Sequence, residues 1–264
     1  MTERPLVFGI LNLTPDSFSD GGKWAEPRTA LAWALAMREQ GADVIDVGGE
    51  STRPGAVRIL PSEEWQRVGK VVKELVDAGV PVSLDTMNSS TAELAIAAGA
   101  SYINDVSGGL ADPAMAGVVS AGGVKFIAMH GGGSSETMDL EANYENVTKS
   151  VTNHLRERTE ALISSGIAQE KLWLDPGIGF AKTPEHNWQL LRELPSLVSL
   201  GFPVMIGASR KRFLAPFGAE PEERDAATAN VGLLAVQNGA RALRVHNVEE
   251  TASALRVLEA WQGE

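Results

Sequence analysis

The feature that most restricts the fold of this chain is an alternation, repeated eight times, of a short apolar run and a longer helix-patterned stretch. The short runs lie at 6–11, 44–47, 82–85, 102–104, 125–129, 172–174, 204–206 and 242–245. Most are rich in β-branched and apolar residues without alternation, as expected of strands buried on both faces. Helical patterns fill the intervals at 28–40, 62–78, 89–98, 113–121, 144–165, 185–198, 224–238 and 248–261. In the fifth, Tyr144, Val147, Val151, Leu155, Leu162 and Ile163 are expected to form one apolar face. Seven helical stretches end at a glycine just before the next strand, Gly41, Gly79, Gly99, Gly122, Gly166, Gly201 and Gly239, the residue best suited to a left-handed helix terminus.

Strand–helix alternation implies an α/β fold with a parallel sheet and right-handed crossovers. Eight such units in 264 residues match the size of a (β/α)8 TIM barrel, and a doubly wound open sheet is the alternative. No linker or composition shift divides the chain, so a single domain over 1–264 is expected.

Composition narrows the class of ligand. A net charge of −11 is poorly matched to a nucleic-acid polyanion, so any anion would need locally placed cations. The chain has no cysteine, which removes disulfides and thiolate metal sites and fits a cytoplasmic protein. The N-terminal residues lack the basic and apolar segments of a secretory signal, and no apolar run is long enough to span a bilayer.

Polar residues recur where a strand hands over to its loop: Asn12, Asp46, Asp85, Asn104 and Asp105, His130, Asp175, Ser209 to Lys211, and Arg244 with His246. Taken singly, an Asp or Asn at such a point reads equally as a turn or cap residue. Their repetition around a closed barrel instead makes them converge on one mouth, the end where barrels place active sites. Asp85, Asn104 and Asp175 suit a flat, neutral ring with N–H groups, because carboxylates accept and an amide both donates and accepts. The same carboxylates also read as an acid–base pair or a divalent-metal site. Lys211, Arg244 and His246 come from the last two units, where barrels often bind phosphate. Arg210 and Arg212 read as solvated or loop-anchoring, and His154 and His186 as surface or cap residues. The long loops at 12–27, 48–61, 130–143 and 207–223 all follow strands.

These residues fall in runs that resemble the dihydropteroate synthase family. The first is GILNLTPDSFSDGG at 9–22 and the second DVGGESTRPG at 46–55. SLDT at 83–86, INDVSGG at 103–109, DPGIGF at 175–180, GASRK at 207–211 and RVH at 244–246 follow in order over nearly the whole chain.

The resemblance implies condensation of p-aminobenzoate with 6-hydroxymethyl-7,8-dihydropterin diphosphate, releasing pyrophosphate by an SN1-like path in folate biosynthesis. It implies that Asp85, Asn104, Asp175 and Lys211 hold the pterin and that Arg244, Val245 and His246 bind the diphosphate, with Thr52 also touching that substrate. Asp85, Asp175, Lys211, Arg244 and His246 would carry the catalysis. Thr52, Arg53, Pro54, Phe180 and Ser209 would border the aminobenzoate, Asp20 and Arg53 would lie on mobile loops, and Asn12 would contact Mg2+ bound to the diphosphate. A homodimer is implied as well. The chain departs from the family in having Asn247 after His246, where Asp is usual, and Gly131 to Gly133 after His130. A pterin-dependent methyltransferase domain and a catalytically silent pterin-binding homologue are the rival readings.

Overall fold

The computed structural model describes residues 4–14, 27–51, 56–131 and 142–263, with backbone alone at 27 and 28. Eight parallel strands form one sheet: β1 (Leu6–Asn12), β2 (Val44–Gly48), β3 (Val82–Asp85), β4 (Tyr102–Asp105), β5 (Lys125–Met129), β6 (Leu172–Asp175), β7 (Met205–Ile206) and β8 (Ala242–Val245). Their spatial order is β6-β5-β4-β3-β2-β1-β8-β7. A parallel bridge between Leu174 and Val204 brings β6 to β7 and nearly closes the sheet into a TIM barrel. The alternative of an open doubly wound sheet is thereby set aside.

The helices are α1 (Pro27–Gln40), α2 (Pro61–Asp77), α3 (Ser89–Ala97), α4 (Met115–Gly122), α5 (Val147–Ser164), α6 (Pro184–Arg192), α7 (Leu194–Val198), α8 (Asp225–Gln237) and α9 (Val248–Gln262). The helix expected at 185–198 is therefore two helices. Pro195 has no N–H to donate and crowds the preceding turn, so the first helix stops before it. The fifth helix begins at Val147, where Asn146 caps it by accepting from Lys149 N. Tyr144 accordingly lies ahead of the helix, and Ile163 is exposed rather than on the buried face. Gly123, with φ of 62°, takes the left-handed position expected of Gly122, which remains helical.

Two apolar cores follow from the period-two geometry of strands. Inside the barrel lie Phe8, Val44, Tyr102, Ile127, Trp173, Met205 and Ala242. Phe8 meets Tyr102 edge-on at 5.2 Å, and Tyr102 meets Trp173 at 6.2 Å. Lys125 donates to the Tyr102 hydroxyl at 2.9 Å. Residues one step along the same strands, such as Ile45, Ile103, Leu174 and Leu243, point outward into the layer beneath the helices. Burying one such side chain contributes about 1.5–3 kcal/mol. With the N-terminal part of the lumen filled, the inward positions left at the C-terminal strand ends are polar.

Among the described residues, no helix is long and apolar enough to cross a membrane.

Candidate active site

The alternation that directs Val44 and Ala242 into the lumen also directs Asp46 and Arg244 inward, one turn of the pleat further along. Arg244 Nε donates to Asp46 Oδ2 at 2.5 Å, and a terminal nitrogen of Arg244 donates to Asp85 Oδ2 at 2.8 Å. Asn104 Nδ2 reaches the same Asp46 oxygen at 3.3 Å. Strands β2, β3, β4 and β8 thus supply one linked cluster. Asp46 is wholly buried and Asp85 nearly so. One guanidinium cannot neutralise two buried carboxylates, and burial pushes the Asp85 carboxyl up to about 7, with Arg244 opposing and Asp46 reinforcing that rise. Burial works to lower the pKa of Arg244, but the paired carboxylates of Asp46 and Asp85 together outweigh it and raise it further, so the guanidinium stays charged.

Three buried side-chain oxygens of this floor have no hydrogen-bond partner: Asp46 Oδ1, Asn104 Oδ1 and Ser83 Oγ. Buried acceptors without donors are costly, so the floor is built for a ligand that brings N–H groups.

On the opposite wall, Asp175 is buried and accepts from Gly177 N at 2.7 Å. Burial raises its pKa, and Lys211 opposes the shift. A Cβ at Gly207 would stand 3.6 Å from Asp175 Oδ2 and 3.9 Å from Arg244 Cβ, so the absence of a side chain there keeps the space between the two walls open. Lys211 donates to the Ile178 carbonyl and lies 4.4 Å over the Phe180 ring. Burial lowers its pKa to about 8.

At the rim, Ser209 Oγ lies 2.9 Å from His246 Nδ1 and accepts from His246 N at 3.1 Å, which ties the loops after β7 and β8 together. Val245 is placed differently. It is 3% exposed in the outer core, so its side chain faces the helices and only its backbone lies towards the mouth. Asn12 ends β1 with its Oδ1 3.2 Å from where a Gly48 Cβ would be. Among the described residues no cluster of three or more His, Asp or Glu could hold a metal ion unaided. A single amide oxygen fits only an ion held chiefly by substrate phosphates and water, the usual habit of magnesium.

Arg210 anchors its loop, as expected: in left-handed backbone with φ of 60°, it donates to both Asp225 oxygens at 2.7 and 2.9 Å. His186 completes a capping box with Thr183 at the start of α6. His154 packs edge-on against His130 at 4.8 Å. Asp105 does not face the pocket chemistry; its carboxylate accepts from Ser107 N, Ser107 Oγ and Gly109 N and shapes the turn after β4. Glu50 and Arg58, on either side of residues 52–55, pair at 2.6 Å. Asp20, Thr52, Arg53 and Pro54 lie outside the described residues.

Two residues matter more in the structure than their place in the sequence suggests. Asp46 was one strand-end polar residue among many, yet it holds both Arg244 and Asn104. Its inward register relative to Val44 was the available signal. Lys182 lies two residues beyond Phe180 and bridges the loops after β5 and β6.

The family described as pterin binding enzymes matches residues 8–246. The dihydropteroate synthase of Mycobacterium leprae is 46% identical, over 97% of this chain and 93% of that protein. Among solved structures, the dihydropteroate synthase of Xanthomonas albilineans with 4-aminobenzoic acid is 42% identical, has a TM-score of 0.92, and is matched over 99% of this chain and 94% of that one. The same enzyme in complex with 7,8-dihydropteroate is 39% identical, with a TM-score of 0.89, over 100% of this chain and 96% of that one. On sequence, fold and pocket alike, the chain belongs to the pterin-binding enzyme family, among its dihydropteroate synthases.

Proposed function

We propose that the pocket joins p-aminobenzoate to 6-hydroxymethyl-7,8-dihydropterin diphosphate, giving 7,8-dihydropteroate and pyrophosphate. The observation that carries this reading is the buried floor of unpartnered acceptors, Asp46 Oδ1 and Asn104 Oδ1, beside Asp85 and Asp175. A pterin presents a flat edge of N–H groups that matches such a floor. Neither a nucleophilic side chain nor a protein base is required. The C–O bond between the pterin methylene and the diphosphate breaks, the electron pair leaves with pyrophosphate, and the aromatic amine bonds to the methylene and sheds one proton.

Charge is arranged for that separation. Arg244 and His246 supply positive charge or donors towards the departing diphosphate, Asp85 and Asp175 stabilise positive charge growing on the pterin, and Lys211 helps hold the pterin. Magnesium, when bound, would neutralise diphosphate charge, and Asn12 is the described residue suited to contact it. Phe180 and Ser209, with Thr52, Arg53 and Pro54, are the residues proposed to border the aminobenzoate. Asp20 and Arg53 are assigned to loops that close over the site.

A homodimer is part of this reading. Leu234 on α8 and Val257 and Trp261 on the neighbouring α9 are exposed apolar side chains that a second copy would cover. A cytoplasmic location fits a chain without cysteine.

The test is pyrophosphate release from the pterin diphosphate, with and without aminobenzoate and magnesium. Release that depends on aminobenzoate supports the synthase. Pterin binding without release would support the silent homologue instead.

A further inference from the structure

Lys182 has no part in the chemistry above, yet it is tied into the site at three points. Its Nζ donates to the Phe180 carbonyl at 2.8 Å, lies 3.1 Å from His130 Nδ1, and reaches the His130 carbonyl at 3.5 Å. Burial, with Lys211 nearby, brings the ammonium down to about 7. Burial and Lys182 itself hold His130 far below its ordinary range, at about 3, so its imidazole is neutral and Nδ1 is free to accept.

The chain bends sharply to allow this. Ala181 sits in left-handed backbone at φ of 46°, a conformation that residues with a side chain rarely adopt. That bend folds the Lys182 side chain back onto the carbonyl two residues before it. From the other side, Lys211 donates to the Ile178 carbonyl and covers the Phe180 ring. Gly179 N donates to Asn187 Oδ1 at 2.6 Å. The segment that carries Phe180 is therefore braced by one lysine on each of two alternate carbonyls. His130, the other end of the Lys182 brace, is itself packed against His154 at 4.8 Å and Tyr144 at 6.3 Å.

We propose that Lys182 is a positioning residue of the aminobenzoate subsite: by tying the Phe180 carbonyl to His130 it sets the orientation in which the Phe180 ring meets the second substrate. This rests on the reading of Phe180 as an aminobenzoate neighbour. Lys182 touches the pterin side only through longer-range charge on Asp175 and Lys211, whereas its hydrogen bonds go to the Phe180 and His130 segments, so its loss should fall mainly on the aminobenzoate side.

The experiment is steady-state kinetics of Lys182→Met, Phe180→Ala and the double variant, with calorimetric binding of 6-hydroxymethylpterin as a measure of an intact pocket. Loss of the buried hydrogen bond to the Phe180 carbonyl predicts an aminobenzoate KM raised about tenfold in Lys182→Met, with the pterin diphosphate KM and the pterin affinity within about twofold. In the Phe180→Ala background the same substitution has no further effect, because the two residues act through one contact. Lys182→Arg, which keeps donors, recovers most of the aminobenzoate KM and serves in place of a Met variant that does not fold. An equal rise in both KM values, a comparable loss of pterin affinity, an unchanged aminobenzoate KM, effects that add in the double variant, or an Arg variant as impaired as Met would each overturn the proposal. Wild-type protein that binds pterin but forms no dihydropteroate would remove the synthase reading itself, an outcome visible before any variant is made.

Discussion

Arg244 on β8 and Asp46 on β2 meet at 2.5 Å across the barrel mouth, and the same guanidinium continues to Asp85 on β3 at 2.8 Å. This pair is the structural centre of the site. It is buried, so its two ends cannot be removed independently. Replacing Arg244 by Ala leaves two buried carboxylates without a counter-charge, which costs about 3–5 kcal/mol of stability. Urea denaturation should show this loss together with loss of turnover. The double change Asp46→Asn with Arg244→Met should recover part of the stability and none of the activity. Arg244→Lys should restore neither fully, because a point charge cannot fork to two carboxylates.

Asp46→Asn tests the pair from its other end. The amide cannot hold Arg244 as a charge partner, so the guanidinium loses its fixed direction. A KM for pterin diphosphate raised about tenfold is expected for one charge-assisted hydrogen bond. A KM equal to that of the wild type would show that Asp46 does no positioning.

Pterin binding should depend on pH through Asp85, whose carboxyl is pushed up to about 7 by burial. An ionised carboxylate accepts two N–H bonds and a protonated one does not. Affinity should therefore fall as pH drops below 7, by about tenfold between about pH 8 and about pH 6. Calorimetry across this range reads the slope. Asp85→Asn should bind weakly at every pH and remove the Asp85 part of the slope.

Stability should also depend on pH through His130. In the unfolded chain its imidazole takes a proton below about 6.5, whereas burial in the folded protein delays protonation to about 3. The unfolded state thus holds more protons throughout that window, and stability falls as pH falls, by up to about 1.4 kcal/mol per pH unit. His154, lowered in the same direction by burial, adds to the trend. His130→Gln keeps an acceptor for Lys182 without a titrating ring, so its unfolding free energy should vary less over this range.

Asn247, directly after His246, has a defined local role at the start of α9. It caps α9 by accepting from Glu250 N at 3.1 Å, and its Nδ2 donates to Asp225 Oδ2 at 3.0 Å. An aspartate could cap equally well but would face Asp225 with a like charge. Asn247→Asp should lower stability by about 1–2 kcal/mol, read as a fall in melting temperature of a few degrees.

Much of this architecture is legible in the residues themselves. Each strand is marked by a short apolar run and each helix by its period, because backbone geometry imposes these repeats over a few residues at a time. The errors lie where a neighbour overrides the pattern: Pro195 splits a helix, and Asn146 starts another after Tyr144. The inward strand-end set of Asp46, Asp85, Asn104, Asp175 and Arg244 also follows from period two, once closure is assumed.

Sequence by itself therefore determined the element order, the barrel class and which polar residues stand at the strand ends. Only the tertiary structure decided how they pair. It joined Arg244 to Asp46 across 198 residues of chain and to Asp85 across 159. It also turned Val245 away from the mouth while Arg244 faces it, and set Lys182 between Phe180 and His130. The reason is physical: periodicity records forces that act within a turn or a pleat, whereas a bond between β8 and β2 exists only after the sheet has curled, twisted and fixed its register.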